Sequence, residues 1–190
     1  MQRLKNRVGM ENAVGTGILI CGLNGSGKST LGKSLAKSLH YYFIDKEDLY
    51  FPRDAQGYKY AFPRTPEQAE NLLFRKIKTH KNFVLASVKG DYGEEVYPFF
   101  QYAIWMEAPK EIRMQRVKKR SYEKFGDRIL PGGDLYEQEE QFFQFAASRE
   151  ENTVEEWIQY LTCPVLKIDG TKPVEENVNF ILEKLKSAMI

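Results

Sequence analysis

Apolar positions along this chain fall into two alternating patterns. Compact runs rich in β-branched and aromatic residues occur at 16–21 (TGILIC), 41–44 (YYFI), 82–88 (NFVLASV), 102–106 (YAIWM) and 164–168 (PVLKI). Such runs suit parallel strands buried on both faces. Between them, apolar residues recur at helical spacing, as in Leu31, Leu35, Ala36 and Leu39, which predict a helix over about 28–39. Thr65-Pro66-Glu67 supplies a cap and a first-turn proline for a helix reaching about His80. A short helix over 94–100 is made irregular by Pro98, and a long basic helix starts near Pro109 and ends near Phe125. Further helices fit 135–150, 153–161 and 173–188, while 1–14 reads as a polar lead-in and 50–65 as loop, with Pro52, Gly57 and Pro63. Strands alternating with helices predict a five-stranded parallel sheet covered on both faces. With no internal repeat and no linker-like stretch, residues 1–190 read as a single domain.

The loop between the first strand and the first helix carries the chain's most specific signal. Residues 22–30 read GLNGSGKST, which fits G-x-x-x-x-G-K-[ST], the phosphate-binding P-loop. Strand, glycine loop and helix come in the order that motif needs. Gly22, Gly25 and Gly27 let the backbone turn tightly and bring its N–H groups against phosphate oxygens. Asn24, Ser26 and Thr30 complete the loop. Lys28 places a cation on the β- and γ-phosphates, and Ser29 offers a hydroxyl to Mg²⁺. ATP and Mg²⁺ are therefore the expected cofactors.

Composition narrows the class without deciding it. A hydrophobic share of 42% and a charged share of 28% are those of a globular domain, and a net charge of +2 indicates neither nucleic acid nor membrane as partner. Charge is unevenly spread: residues 110–128 hold eight Lys/Arg against three acids, and 134–156 hold eight acids against one Arg. That contrast fits a mobile, phosphate-attracting element beside an acidic surface, or equally two solvated helix faces. Cys21 and Cys163, both at predicted strand positions, read as small buried hydrophobes rather than a disulfide or zinc framework. Arg3, Lys5 and Arg7 precede no apolar leader run, and no stretch approaches the ~18 apolar residues of a membrane span. A cytoplasmic location is the expectation.

In parallel α/β folds, ligands sit beyond the carboxyl ends of the strands. After the second predicted strand come Asp45, Glu47 and Asp48, where a carboxylate would accept a proton from a hydroxyl or hold Mg²⁺ through water, or simply cap the next helix. After the third come Ser87, Lys89 and Asp91; Asp91 is a metal candidate at unusual spacing, or with Lys89 a substrate contact. After the fourth, Arg113, Arg116 and Arg120 share one helix face, and Arg128 follows beside Gly126, Gly132 and Gly133, a loop able to hinge as a lid. Arginine suits phosphate because its planar fork stays charged and donates bidentately. After the fifth, Asp169, Gly170 and Thr171 are placed to pack against a base bound at the P-loop.

Taken as an ordered set, ILICGLNGSGKSTLGKSLAKSL, FIDKEDL, RMQRVKKR with its glycine loop, and IDGTKP make the chain resemble the P-loop small-molecule kinases, the group of nucleoside monophosphate, shikimate and gluconate kinases. The resemblance covers most of 16–188. It implies a three-layer α/β/α P-loop NTPase fold with a helical lid over about 113–150 and an acceptor-side region over about 45–80. It implies that Lys28, Asp45 and the lid arginines Arg116, Arg120 and Arg128 serve catalysis, and that residues 169–173 flank adenine. The third strand lacks the Gly-Gly-Gly of shikimate kinases, the lid lacks the paired Asp-Asp of adenylate kinases, and GGDLYEQEEQFFQFAASRE matches neither.

The leading expectation is transfer of the γ-phosphoryl of Mg-ATP to a small acceptor. Asp48, Arg53, Arg64 and Lys89 are acceptor candidates, and Tyr50, Phe51, Tyr58, Tyr60 and Phe62 are aromatics able to stack on a base. Arg75 joins Arg53 and Arg64 as a candidate for an acceptor phosphate. A regulatory or switch-type ATPase is the alternative; no N-K-x-D or L-S-G-G-Q signature is present. A nucleic-acid-end kinase using the basic helix is the third, weakened by the near-neutral charge.

Overall fold

The computed structural model describes residues 15–52, 58 and 60–188. The polar lead-in and Arg53 lie outside the described residues. Five strands form one parallel sheet in the order β2-β3-β1-β4-β5: β1 Gly17–Cys21, β2 Tyr42–Asp45, β3 Phe83–Ala86, β4 Phe100–Glu107 and β5 Val165–Asp169. Order reverses on either side of β1, so the loop after β1 opens into the crevice between its neighbours.

Alternation within β1 divides the core. Ile18 and Ile20 face a cluster with Leu31, Leu35 and Ala36 of α1 (Lys28–Leu39) and Ile181 and Leu185 of α7 (Val174–Ala188). Leu19 and Cys21 face the opposite cluster. That side holds Leu49 of α2 (Lys46–Tyr50), Leu73 and Ile77 of α3 (Pro66–Thr79), and Val154 and Trp157 of α6 (Thr153–Ile158). These are the two outer layers of the expected three-layer fold.

Local chemistry explains the element ends. Thr65 caps α3 in a full capping box with Gln68, with Pro66 in the first turn, as the sequence predicts. Pro98 sits inside a 3-10 turn, Glu94–Phe99, where an α-helix would lose a bond to it. β4 begins two residues before its apolar run, and β3 ends at Ala86, before Ser87. Cys163 lies before β5 and is only half-buried, unlike Cys21. A third, smaller cluster of Val117, Ile129, Leu135 and Phe143 joins α4 (Lys110–Phe125) to α5 (Tyr136–Ser148), apart from both faces of the sheet. No described helix is long and apolar enough to cross a membrane.

Candidate active site

The P-loop leaves β1 at Gly22 and enters α1 at Lys28. At Gly25, φ is +80° and a Cβ would lie 2.2 Å from the Arg113 carbonyl oxygen, so both conformation and space require glycine. Gly27, with φ of 107°, is the N-cap of α1 and brings no side chain to cap it. The first amides of this helix therefore lack an internal partner and suit an anion. The Ser26 hydroxyl is buried and without a partner.

Lys28 donates from Nζ to the Leu23 carbonyl at 2.8 Å. Burial lowers its pKa to about 7; Asp45 opposes that shift and the charges of Arg120 and Arg149 add to it. The loop thus holds a lysine whose charge is poorly compensated, in a place where phosphate would compensate it.

Two cavities meet at this lysine. One, about 420 Å³, is lined by Gly27, Thr30, Arg116, Gly170 and Lys172. The other, about 520 Å³, is lined by Asp45, Glu47, Tyr60, Phe145 and Arg149. Gly25, Lys28, Ser29 and Arg120 line both.

On the first side, Arg116 donates to the Gly170 carbonyl at 2.9 Å and the Ser26 carbonyl at 3.4 Å, pinning the loop after β5 to the P-loop. Gly170 donates to the Glu107 carbonyl at 2.6 Å, and its Cβ position is 2.5 Å from the Ser26 carbonyl oxygen. No larger residue fits that approach. Asp169 is turned inward on its own loop, accepting from the Thr171 amide at 2.8 Å and hydroxyl at 2.6 Å.

On the second side, Asp45 does two things. Its Oδ1 accepts from the Glu47 amide at 3.0 Å and caps α2, while the side chain lines the cavity beside Lys28. Glu47 accepts from the Tyr60 hydroxyl at 2.8 Å, and Lys124 of α4 donates to the same hydroxyl at 2.9 Å. Burial first and then Glu47 push the Tyr60 pKa upward, so it stays a neutral donor. Tyr58 donates to Glu139 of α5 at 2.6 Å.

The chain belongs to the AAA domain family. The family match spans residues 18–144 of this AAA-domain chain. "Uncharacterized protein YqaC" of Bacillus subtilis (strain 168) is 29% identical over 178 residues, 90% of this chain and 97% of that protein. A shikimate kinase of Clostridium botulinum (strain ATCC 19397 / Type A) is 29% identical over 122 residues, 60% of this chain and 69% of that protein. Among solved structures, deoxyadenosine kinase from M. mycoides with bound dATP shares the fold at a TM-score of 0.55 and 16% identity, over 89% of this chain and 98% of that one. The chain shares the α/β fold of P-loop kinases.

Several expected site residues of this AAA-domain protein gather around the P-loop, and several stand elsewhere. Arg116 and Arg120 face the cavities. Arg128 instead forms an exposed pair with Asp134, at 2.6 Å and 2.9 Å, beyond both chambers. Arg64 donates to the carbonyls of Asp48 and Leu49 at 3.2 Å and 3.1 Å, closing the end of α2. Asp91 pairs with Lys89 at 3.3 Å and Lys46 at 3.9 Å, and none of Asp48, Lys89 and Asp91 lines the 520 Å³ cavity. Among the described residues no three His, Cys, Asp or Glu side chains gather as a metal cage. Mg²⁺ held largely by water and phosphate needs only one or two protein oxygens, and Ser29 sits at the junction of the chambers.

Other roles emerge only in three dimensions. Arg113, 2% exposed, donates to the carbonyls of Ala108 at 3.0 Å and Asn24 at 3.4 Å and pairs with Glu151, so it braces the P-loop from behind. Lys46, Phe142, Phe145 and Arg149 line the second cavity. For Arg149 the sequence held one signal: it is the single arginine among the acids of 134–156.

Proposed function

We propose that this protein is a phosphotransferase that moves the γ-phosphoryl of Mg-ATP to a hydroxyl of a small acceptor. One observation carries the reading: two separate chambers share Lys28, Ser29 and Arg120. A switch that only binds or hydrolyses nucleotide needs one chamber; a transferase needs a second, opening on the same lysine.

The smaller chamber would take the nucleotide. Its phosphates would meet the uncapped amides of α1 and Lys28, while Arg116 and residues 169–171 flank the base. Ser29, together with phosphate oxygens, would hold Mg²⁺, which supplies charge neutralisation between the phosphates when bound. Asp45 in the larger chamber would orient the acceptor hydroxyl and take its proton. Arg120, present in both chambers, would balance charge as the phosphoryl group passes. Asp91 and Arg128, outside both chambers, would contribute only after movement of their segments.

The test is release of ADP across a panel of nucleosides, nucleotides, sugars and hydroxy acids. The reading requires an acceptor that raises turnover well above the acceptor-free rate. ADP release that no acceptor accelerates sinks it and favours a regulatory ATPase.

A further inference from the structure

Arg113 is 2% exposed and lines neither chamber; with Glu151 it borders a separate cavity of about 790 Å³. All three nitrogens of its guanidinium are engaged. Nε donates to the Ala108 carbonyl at 3.0 Å, one terminal nitrogen donates to the Asn24 carbonyl at 3.4 Å, and the other pairs with Glu151. The backbone of the same residue presses on the next position of the P-loop, where a Cβ on Gly25 would stand 2.2 Å from the Arg113 carbonyl oxygen. Residue 113 therefore touches the loop on both sides of the Asn24–Gly25 peptide bond.

A peptide group is planar and trans, so its N–H points opposite its carbonyl. Drawing the Asn24 oxygen toward Arg113 turns the Gly25 amide away from Arg113. Gly25 lines both chambers, and its amide donates to no acceptor among the described residues. A loop amide left free in this way suits a phosphate oxygen. Arginine fits the task because its rigid fork serves three acceptors in different directions, which a lysine ammonium on a flexible stem does not. Glu151 completes the device. It lies between α5 and α6, and α6 is anchored in the core through Val154 and Trp157. A guanidinium this deeply buried would be uncompensated without its carboxylate, so Glu151 both neutralises and aims it.

We propose that Arg113, aimed by Glu151, is a positioning residue for phosphate binding: it holds the Asn24–Gly25 peptide in the orientation that offers the Gly25 N–H to the nucleotide. The pair touches no ligand and acts only through the loop. This rests on reading the P-loop side as the nucleotide side.

Calorimetric titration of the full chain with a non-hydrolysable ATP analogue and Mg²⁺, and with pyrophosphate, tests it, beside thermal unfolding and the amide resonance of Gly25 in nitrogen-labelled protein. Glu151→Gln strands a buried charge and lowers the melting temperature; adding Arg113→Met removes that charge, and melting returns toward the native value. Phosphate affinity does not return with it. The double variant is expected to bind the ATP analogue and pyrophosphate about tenfold more weakly than the native chain, the size of one hydrogen bond to a charged group. Its Gly25 amide no longer shows the native shift on binding. Arg113→Lys, a charge without the fork, also falls short of native affinity. Affinity that recovers together with melting temperature, full affinity in Arg113→Lys, or a native Gly25 shift in the double variant overturns the proposal. ADP release separates it from the reading it rests on. Arg113-dependent binding with no acceptor-stimulated release keeps the positioning role and overturns the transferase. Acceptor-stimulated release with phosphate affinity unchanged in the double variant overturns the positioning role and keeps the transferase. A native chain that binds neither phosphate ligand overturns both.

Discussion

The two chambers that meet at Lys28 are built from different materials. The nucleotide side is mostly backbone: uncapped amides at the start of α1, glycines at 25, 27 and 170, and carbonyls of Ser26 and Gly170 clasped by Arg116. The other side is mostly side chain: Asp45, Glu47, Tyr60, Phe145 and Arg149, drawn from the β2–α2 junction, the loop after α2, and α5 with the residue that follows it. Backbone geometry recognises what every nucleoside triphosphate shares. On the proposed reading, side chains from three separate segments would select the acceptor.

Substitution at the shared lysine cuts across that division most deeply. Lys28→Ala removes one of the two cations common to both chambers, and turnover is expected to fall on the order of 10³-fold with the fold retained. Circular dichroism beside an ADP assay checks both parts; unchanged turnover would refute the phosphate-loop assignment. Asp45→Asn acts mainly on the acceptor side, where it also withdraws a charge that supports the protonated Lys28. It keeps the cap on α2, since an amide oxygen still accepts from Glu47, so affinity for ATP should hold while kcat drops about 10²-fold. A parallel loss of nucleotide affinity would erase the proposed separation.

Proton linkage gives a smaller effect confined to the nucleotide side. Free Lys28 has a pKa lowered to about 7 by burial, and bound phosphates raise it. Below pH 7 the lysine is charged before ATP arrives. Above pH 7 it is neutral and must take up a proton on binding, so affinity falls by up to about tenfold per pH unit as pH rises. Calorimetry in buffers of different ionisation enthalpy reads that proton directly; a heat independent of buffer at pH 8 contradicts it.

The smallest change belongs to the acceptor wall. Tyr58→Phe deletes the hydrogen bond to the buried Glu139 carboxylate, at a cost of about 1–3 kcal/mol. Denaturant unfolding should show that loss, with acceptor KM raised a few-fold and ATP KM unmoved.

The same contrast explains what the sequence made legible. A strand, a glycine loop and a helix are contiguous, so periodicity and motif together located β1, the P-loop and α1, down to the bounds Lys28–Leu39. The central strands β1 and β3 followed because runs buried on both faces leave no alternation to misread. Arg116 and Arg120 reach the chambers because three- and four-residue spacing puts them on one face of α4, as it does Arg113, which that face turns under the P-loop instead. Lys46 and Arg149 stayed hidden because they are far apart in the chain and meet only through packing. Arg64 and Arg128 carry the right charge in the right region, but partners a few residues away, α2 carbonyls and Asp134, claim them.

The small cluster of Val117, Ile129, Leu135 and Phe143 has a consequence in time as well as in space. α4 is fastened to the P-loop at its start, through Arg113 and Arg116, while its far end packs on α5 through a few apolar side chains. A unit with so little buried apolar surface opens at lower free energy than the sheet. Amide hydrogens in the second half of α4 and in α5 should therefore exchange with solvent well before those of β1 and β4. Opening of the second half of α4 and of α5 would then uncover the larger cavity without disturbing the sheet.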